Sequence, residues 1–146
     1  MPALIDIQQR DEELYQAYRK AFAQKGMTHN KAIRTAINTP TSRYWVSPAY
    51  VYREILARFR GYQAKYDPSS RRKQPRPCRI HMHEELFRIY KQLAHKHYFR
   101  GCSTYFLVTF VVNHPAPSFH VSFRQAQRII ARKRKEAINK YFHPNA

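Results

Sequence analysis

The segment Asn113-His114-Pro115-Ala116-Pro117-Ser118-Phe119-His120-Val121-Ser122 decides the fold, because the chain carries a second version of it. The other version, Asn38-Thr39-Pro40-Thr41-Ser42-Arg43-Tyr44-Trp45-Val46-Ser47, lies 75 positions earlier. Asn, Pro, an aromatic residue, Val and Ser recur at the same spacing in both segments. Upstream, residues 12–19 match residues 84–91 at an offset of 72 positions. The difference between the two offsets places three additional residues in the later copy, near His97 to Gly101.

Self-similarity at a fixed offset indicates a repeated structural unit, here of about fifty residues at 11–61 and 83–136. A unit of that size buries little apolar surface alone, so we expect the copies to pack on each other. The predicted fold is therefore all-α, with two tandem three-helix repeats packed on a shared core. The predicted boundaries are 1–61 for the first repeat, 62–81 for a basic linker rich in Pro and Ser, and 82–146 for the second repeat, which ends in a basic helix.

The segment from Ser103 to Asn113 presents two conflicting signals. Its run of Thr, Val and aromatic residues is typical of a β-strand. The repeat predicts a helix instead, because its apolar residues fall on the inward-facing positions of the first copy's second helix. We favour the helix, since context overrides intrinsic propensity. The additional aromatic face formed by Tyr105, Phe106 and Phe110 would then bury against the first copy or a second subunit.

Two pairs of adjacent acids, Glu12/Glu13 and Glu84/Glu85, resemble paired carboxylates. Both pairs fall at predicted helix starts, the first together with Asp11, where negative charge complements the helix dipole. We interpret both pairs as structural. No catalytic constellation stands out, and a nuclease is disfavoured because no cluster of acids is available to hold a metal. The chain is therefore predicted not to be an enzyme.

The net charge of +18 favours a polyanionic partner over a neutral one. The excess lies toward the C-terminal end, because Glu136 is the one acid after Glu85, against eleven Lys and Arg. The first residues lack the pattern of a signal peptide, and the longest apolar run is too short to span a bilayer. We expect a cytoplasmic protein that does not enter membranes, and a homodimer is compatible with the sequence.

Two cysteines, Cys78 and Cys102, are too few for a disulfide framework. Cys78 and His81 have the spacing of half a zinc site, with His83, His95 and His97 nearby. The other half has no natural spacing and the first copy has no equivalent. We therefore expect no metal and no other cofactor.

In each copy, two helices are followed by a proline-bearing connection and a capped, Arg-rich helix. This order resembles the tri-helical helix-turn-helix class, which implies that the last helix enters the major groove of DNA through its N-terminal residues. In the second copy, Ser122 and Gln125 form a capping box that starts this helix. Arg124 and Gln125 are then the candidate readers of base edges. The first-copy counterparts, Ala49 and Tyr50, do not suit that role, so the second copy is predicted to dock.

Further basic residues are candidates for phosphate contacts, which give affinity without sequence information. On the last helix and in the linker they are Arg128, Arg132, Lys133, Arg134, Lys135, Arg71, Arg72, Lys73 and Arg76. For Arg128 and its counterpart Arg53 we favour an ion pair with Glu85 or Glu13, respectively, over a phosphate contact, because both partners recur together. The aromatic residues of the connections, Tyr44, Trp45, Phe119 and His120, are interpreted as core residues, with base stacking as their alternative.

The repeated motif Asn-x-Pro-x-x-x-aromatic-x-Val-Ser also resembles a family of small basic bacterial proteins, helix-turn-helix-like, for which no activity is established. We predict a non-enzymatic protein that binds double-stranded DNA through the last helix and the linker. Two alternatives remain open: an RNA-binding protein, and a protein-interaction module that uses the aromatic segment 104–112.

Overall fold

A computed structural model describes residues 4–59 and 77–144, with side chains from 6–54 and 79–144. Within those ranges the chain is all-α and contains no β-strand, which confirms the predicted class. The helices are α1 (Leu4–Phe22), α2 (His29–Ile37), α3 (Pro48–Phe59), α4 (Pro77–Ala94), α5 (Thr104–Val112) and α6 (Phe123–Phe142).

The disputed segment is helical, and α2 and α5 correspond closely. Both contain nine residues. The side chain of Thr28 accepts a hydrogen bond from Lys31 N at the start of α2, and Ser103 accepts one from Phe106 N at the start of α5. Hydroxyl groups at these N-caps satisfy backbone donors that have no partner inside the helix. The helix expected from the repeat is therefore confirmed against the strand propensity of its residues.

Both first helices begin earlier than predicted. α1 starts at Leu4 instead of Asp11, and α4 starts at Pro77, inside the predicted linker. Apolar residues at 4, 7, 14 and 18 continue the helical spacing upstream, and proline is favoured in a first helical turn. The acid pairs consequently lie inside their helices, so the interpretation of these acids as helix-start residues was wrong.

The helices group into two compact units whose boundaries differ from those of the sequence repeats. One unit comprises Leu4–Thr41 and Ala116–Ala146, and in it α6 packs against α1 and α2. The other includes Ser42–Pro115, and in it α3 packs against α4 and α5. The third helix of each copy is thus found with the first two helices of the other copy. We refer to these as the α1–α2–α6 unit and the α3–α4–α5 unit.

The segments that carry the repeated motif make matching backbone hydrogen bonds in the two units. In the α3–α4–α5 unit Tyr44 N donates to Val112 O at 3.0 Å. In the α1–α2–α6 unit Phe119 N donates to Ile37 O at 3.0 Å. Ile37 corresponds to Val112 and Tyr44 to Phe119 at the offset of 75 positions, so the two hydrogen bonds join equivalent positions. An isolated antiparallel bridge adds bonds in both directions between Thr41 and Ala116, a pair that has the same offset.

Buried tyrosines occupy the same position of α1 and α4. The hydroxyl of Tyr18 lies 2.8 Å from His29 Nδ1. That of Tyr90 lies 3.4 Å from Thr104 Oγ1. His29 and Thr104 are also equivalent, since both begin the helix that follows. A buried hydroxyl therefore finds a partner at the next helix start in each unit, which avoids the cost of an unsatisfied polar group.

The three additional residues of the second copy form a short 3-10 helix, His97–Phe99, between α4 and α5. After it the two copies are in register again at a glycine with positive φ, Gly26 at 76° and Gly101 at 80°. Glycine adopts this conformation without the steric cost that a side chain imposes. The insertion therefore adds a turn to one copy and leaves the entry into its second helix unchanged.

Candidate nucleic-acid interface

The predicted docking helix, α6, has a firmly held start and a buried side. Gln125 N donates to Ser122 Oγ at 3.1 Å, which confirms the N-cap at Ser122. Ala126, Ile129 and Ile130 are buried in the α1–α2–α6 unit. Because successive helical residues are rotated by about 100°, these three residues define the inner face and leave the opposite face to solvent.

Cationic side chains follow the solvent-facing side of α6. Arg124, Arg128 and Lys135 are exposed and lie within about one-eighth of a turn of one another around the helix axis. Arg134 is also exposed, at the edge of this side. Within the described part of the chain, none of the four makes an ion pair. We call Arg124, Arg128 and Lys135 the cationic stripe.

Two of the predicted phosphate contacts instead hold α6 to α1. Arg132 bonds the carboxylate of Asp11, which is 1% exposed. Lys133 Nζ lies 3.0 Å from Glu12 Oε2. Both cations also lie 3.8 Å from the carboxylate of Glu136. Their charges are thus largely matched within the unit, which the sequence did not indicate because no local pattern shows that α1 lies beside α6.

The pKa of Glu12 is lowered by the ion-pair network on α1. A hydrogen bond from Gln16, at 2.8 Å, is the largest cause, and the nearby ammonium of Lys133 adds to it. Both interactions favour the carboxylate over the acid. The carboxylate therefore remains charged at neutral pH and continues to hold Lys133, which leaves that lysine unsuited to a separate role on the solvent side.

One basic residue that the sequence did not single out extends this surface. The guanidinium of Arg34, on α2, lies 5.2 Å from the centre of the Phe123 ring at the start of α6. Such a cation–π contact orients an exposed arginine without neutralising its charge. The signal in the sequence was weak, because nothing in the local pattern shows that α2 and α6 are neighbours. The predicted linker residues Arg71, Arg72, Lys73 and Arg76 lie outside the described residues.

The corresponding positions of the first copy are used differently. The Tyr50 hydroxyl, equivalent to Gln125, lies 2.7 Å from Nε2 of the buried His83 and accepts a bond from Arg79 at 3.0 Å. Burial raises the pKa of this phenol, which therefore stays protonated. Arg53 is exposed, and no ion pair with Glu13 or Glu85 is seen for either Arg53 or Arg128 within the described residues. Tyr50 is thus a structural residue, as its unsuitability for base contacts indicated.

The aromatic residues of the connections are core residues, as interpreted, and base stacking is excluded for three of them. Tyr44, Trp45 and Phe119 are between 2% and 7% exposed. A ring that is buried to this extent presents no face to a nucleobase. His120 is half-buried and has the one positive φ among described residues other than glycine, 54°.

The Tyr44 phenol gives the α3–α4–α5 unit a predicted sensitivity to alkali. Burial, and then the adjacent Glu85 carboxylate that accepts its hydrogen bond at 3.1 Å, raise its pKa well above the ordinary value near 10. The folded chain keeps the proton, whereas the unfolded chain loses it, so stability is complete below about pH 10 and falls as the pH rises further. Chemical denaturation at pH 8 to 11 should show a shallower decline for Tyr44→Phe. Identical slopes for the two proteins would contradict this assignment.

The outer face of α5 does not bury as expected. Tyr105, Phe106 and Phe110 are between 43% and 49% exposed. An exposed aromatic face on α5 is compatible with the alternative of a protein-interaction module.

Among the side chains of residues 6–54 and 79–144, no three from His, Cys, Asp or Glu lie close enough to hold a metal ion. The side chain of Cys78, one member of the possible half-site, is outside the described side chains. No described helix combines the length and apolar character that crossing a membrane requires. Comparison with protein-family models, with curated proteins and with solved structures gives no match.

Proposed function

We propose that this chain is a cytoplasmic, non-enzymatic protein that binds double-stranded DNA through the solvent-facing side of α6. One observation carries the proposal: Arg124, Arg128 and Lys135 share one face of a well-anchored helix and make no ion pair within the described residues. The overall charge of +18 supplies the long-range attraction that brings such a face to a polyanion.

The proposed roles of the three side chains follow from their positions along the axis of α6. Arg124 is in the first turn, the part of a recognition helix that reaches base edges, and a guanidinium suits the two acceptors of guanine. Arg128 and Lys135 are one and three turns further on, where the helix would pass the phosphates. Arg34 would add a fourth cation beside the helix start. Gln125 lies at the side of this face, where it is half-buried, and would read a base only at the margin of the groove.

We further propose that the chain is an internal duplication in which the two copies exchange their third helices. The matching caps, the matching hydrogen bonds of the connections and the common offset of 75 positions support it. Each compact unit would then contain a complete set of three helices, with the third supplied by the other copy. This arrangement replaces the simpler expectation that each copy packs its own three helices together.

The experiment removes the cationic stripe and leaves the ion pairs of Arg132 and Lys133 in place. The variant Arg124→Gln/Arg128→Gln/Lys135→Gln is expected to bind random duplex DNA at least about tenfold more weakly at 100 mM salt. Binding by the parent should fall roughly as the inverse fifth power of salt concentration, and the variant should lose about two to three units of that slope. Fluorescence of Trp45 and circular dichroism check that both units remain folded.

A matched control separates the site from the total charge. The control variant also removes three positive charges, but from exposed positions on other helices and their connections: Lys20→Gln/Lys25→Gln/Lys91→Gln. We expect this control to retain most of the affinity and most of the salt slope. Equal losses in the two variants, or no salt dependence in the parent, would overturn the proposal. Stronger binding to structured RNA than to duplex DNA at equal salt would favour the alternative that the protein binds RNA through this face.

A further inference from the structure

The solvent-facing side of α5 differs in character from the same side of α2. Tyr105, Phe106 and Phe110 of α5 are exposed. The equivalent residues of α2, 75 positions earlier, are Asn30, Lys31 and Thr35, and all three are exposed as well. The inner faces of both helices are apolar in the same places. The fold therefore does not require aromatic residues on this face, and α2 shows that polar ones serve it equally well.

The insertion in the second copy is adjacent to this face. Its 3-10 helix places the Phe99 ring 5.3 Å from the Phe110 ring, which in turn is 5.2 Å from the Phe106 ring. Tyr98, in the same turn, is 89% exposed. Two departures from the repeat, the three additional residues and the aromatic substitutions, thus meet where Phe99 contacts Phe110. We call Phe99, Phe106 and Phe110, together with the exposed Tyr98 that precedes Phe99 in the chain, the aromatic cluster.

The charges around the aromatic cluster are positive. Lys96, His97 and Arg100 flank Tyr98 and Phe99 in the chain, and Lys96 and Arg100 are exposed. No Asp or Glu occurs in the sequence between Glu85 and Glu136. Exposed rings interleaved with cations are the combination by which proteins hold single-stranded nucleic acids, since rings stack on bases and cations contact phosphates.

We propose that the aromatic cluster binds an unpaired stretch of nucleic acid. Bases stack on Tyr98, Phe106 and Phe110, while Lys96 and Arg100 contact the backbone phosphates. This site lies in the α3–α4–α5 unit and does not depend on the duplex-binding role of α6, which lies in the other unit. It would add to the protein a preference for DNA or RNA that exposes unpaired bases.

Local charge favours a nucleic acid over a second copy of the chain. A second copy would bring another net charge of +18 toward the same positive region. Like charges at that density oppose association, whereas a polyanion is attracted to them. An acidic protein partner would also satisfy the charge, and the measurement of oligothymidine binding distinguishes it from a nucleic acid.

The test replaces three rings and keeps the net charge. Tyr98→Ser/Phe106→Gln/Phe110→Thr changes exposed side chains, and Thr is the residue that α2 carries at the position of Phe110. Because each stacked base contributes a roughly five- to hundredfold factor in affinity, binding of an oligothymidine of fifteen nucleotides should weaken at least tenfold. Binding of duplex DNA should change less than twofold. The control Phe22→Gln/Tyr141→Ser/Phe142→Ser removes three exposed rings from the other unit.

Each outcome decides the proposal. Loss of oligothymidine binding in the cluster variant, with binding retained in the control, supports it. Unchanged oligothymidine binding in a folded variant overturns it, and so do equal losses in variant and control. A parent protein that sediments as a dimer, with the dimer lost and oligothymidine binding kept in the variant, would identify the cluster as a self-association surface. Since duplex binding is measured separately with the α6 variant, failure of one proposal is distinguishable from failure of the other.

Discussion

Division of the chain between its two copies is expected to abolish the fold of both halves. A fragment of residues 1–68 contains α1, α2 and α3 but lacks α6, which packs on the first two. A fragment of residues 69–146 contains α4, α5 and α6 but lacks α3. Each fragment loses the third helix of the unit that it begins, so most of a typical folding free energy of about 5–15 kcal/mol should be lost. Trp45, the one tryptophan, reports the result because it is buried in the α3–α4–α5 unit.

The measurement combines the two fragments. Alone, residues 1–68 should show the red-shifted emission of a solvated tryptophan and no cooperative unfolding. Addition of one equivalent of residues 69–146 should restore the blue shift and the helical circular dichroism. A chain cleaved within 62–76 after folding is the control, and it should keep its structure. Cooperative unfolding of the isolated, monomeric fragment 1–68 would contradict the exchanged arrangement of third helices.

Buried polar contacts favour assembly of unlike fragments over self-association. Asp11 on α1 is paired with Arg132 on α6. The first-copy equivalent of Arg132 is Ala57, so two copies of fragment 1–68 would leave Asp11 without this partner. On α4 the equivalent of Asp11 is His83, which contacts Tyr50 of α3. Asp11 would keep the ion pair with Arg10, at 3.0 Å, but the buried carboxylate would lose its contact to a third helix. The loss of a partner from a buried ion pair is costly, and the two contacts therefore favour one third helix for each unit.

Leu14→Ala is expected to cause the largest loss of stability from a single substitution. Leu14 is fully buried in the α1–α2–α6 unit, where truncation removes apolar contacts and leaves a cavity. Such substitutions cost about 2–5 kcal/mol, because the surrounding side chains collapse only partly. Denaturant unfolding, followed by circular dichroism, measures the change in the free energy of unfolding.

Two further variants make this result specific. Leu86→Ala introduces the same change at the equivalent position of the α3–α4–α5 unit, where Trp45 fluorescence reports it directly. Lys20→Ala, at an exposed position on the helix that carries Leu14, should change the free energy by no more than about 0.5 kcal/mol. If Leu14→Ala costs no more than Lys20→Ala, then Leu14 does not occupy a tightly packed core.

The all-α class was predictable because the internal repeat decided between helix and strand for the segment whose local propensity was ambiguous. The residues Val108, Val111 and Val112 favour a strand by themselves, but their alignment with Ile33, Ala36 and Ile37 placed them on one side of a helix. All six lie inward in the structure, five of them buried and Ile37 half-buried. The N-caps were predictable from local sequence as well. A Ser or Thr just before a run of apolar residues at helical spacing is favoured there, because its hydroxyl accepts a hydrogen bond from a backbone N–H of the first turn.

The pairing of helices was not predictable from the same patterns. Both third helices have an apolar side and an N-cap. Neither feature indicates which of the other helices will pack against the apolar side. The unpredicted pairing of helices also affected the candidate site. The roles of Arg132 and Lys133 depend on which acids face them, and two of those acids lie on α1, which packs against α6. Arg124, Arg128 and Lys135 kept their predicted exposure, since they lie opposite an apolar face whose direction the helical period does determine.

If the chain binds DNA as proposed, the difference between its two third helices has a consequence for the form of the target. Twofold-symmetric dimers of helix-turn-helix proteins present the same recognition helix twice and so select palindromic operators. Here α6 has Arg124 and Gln125 in its first turn, while α3 has Ala49 and the inward-turned Tyr50 at the corresponding positions. A single polypeptide with two unlike third helices is released from that constraint. Its preferred sequence would accordingly be a single asymmetric half-site, which selection from a randomised duplex library would reveal as a motif without inverted repetition.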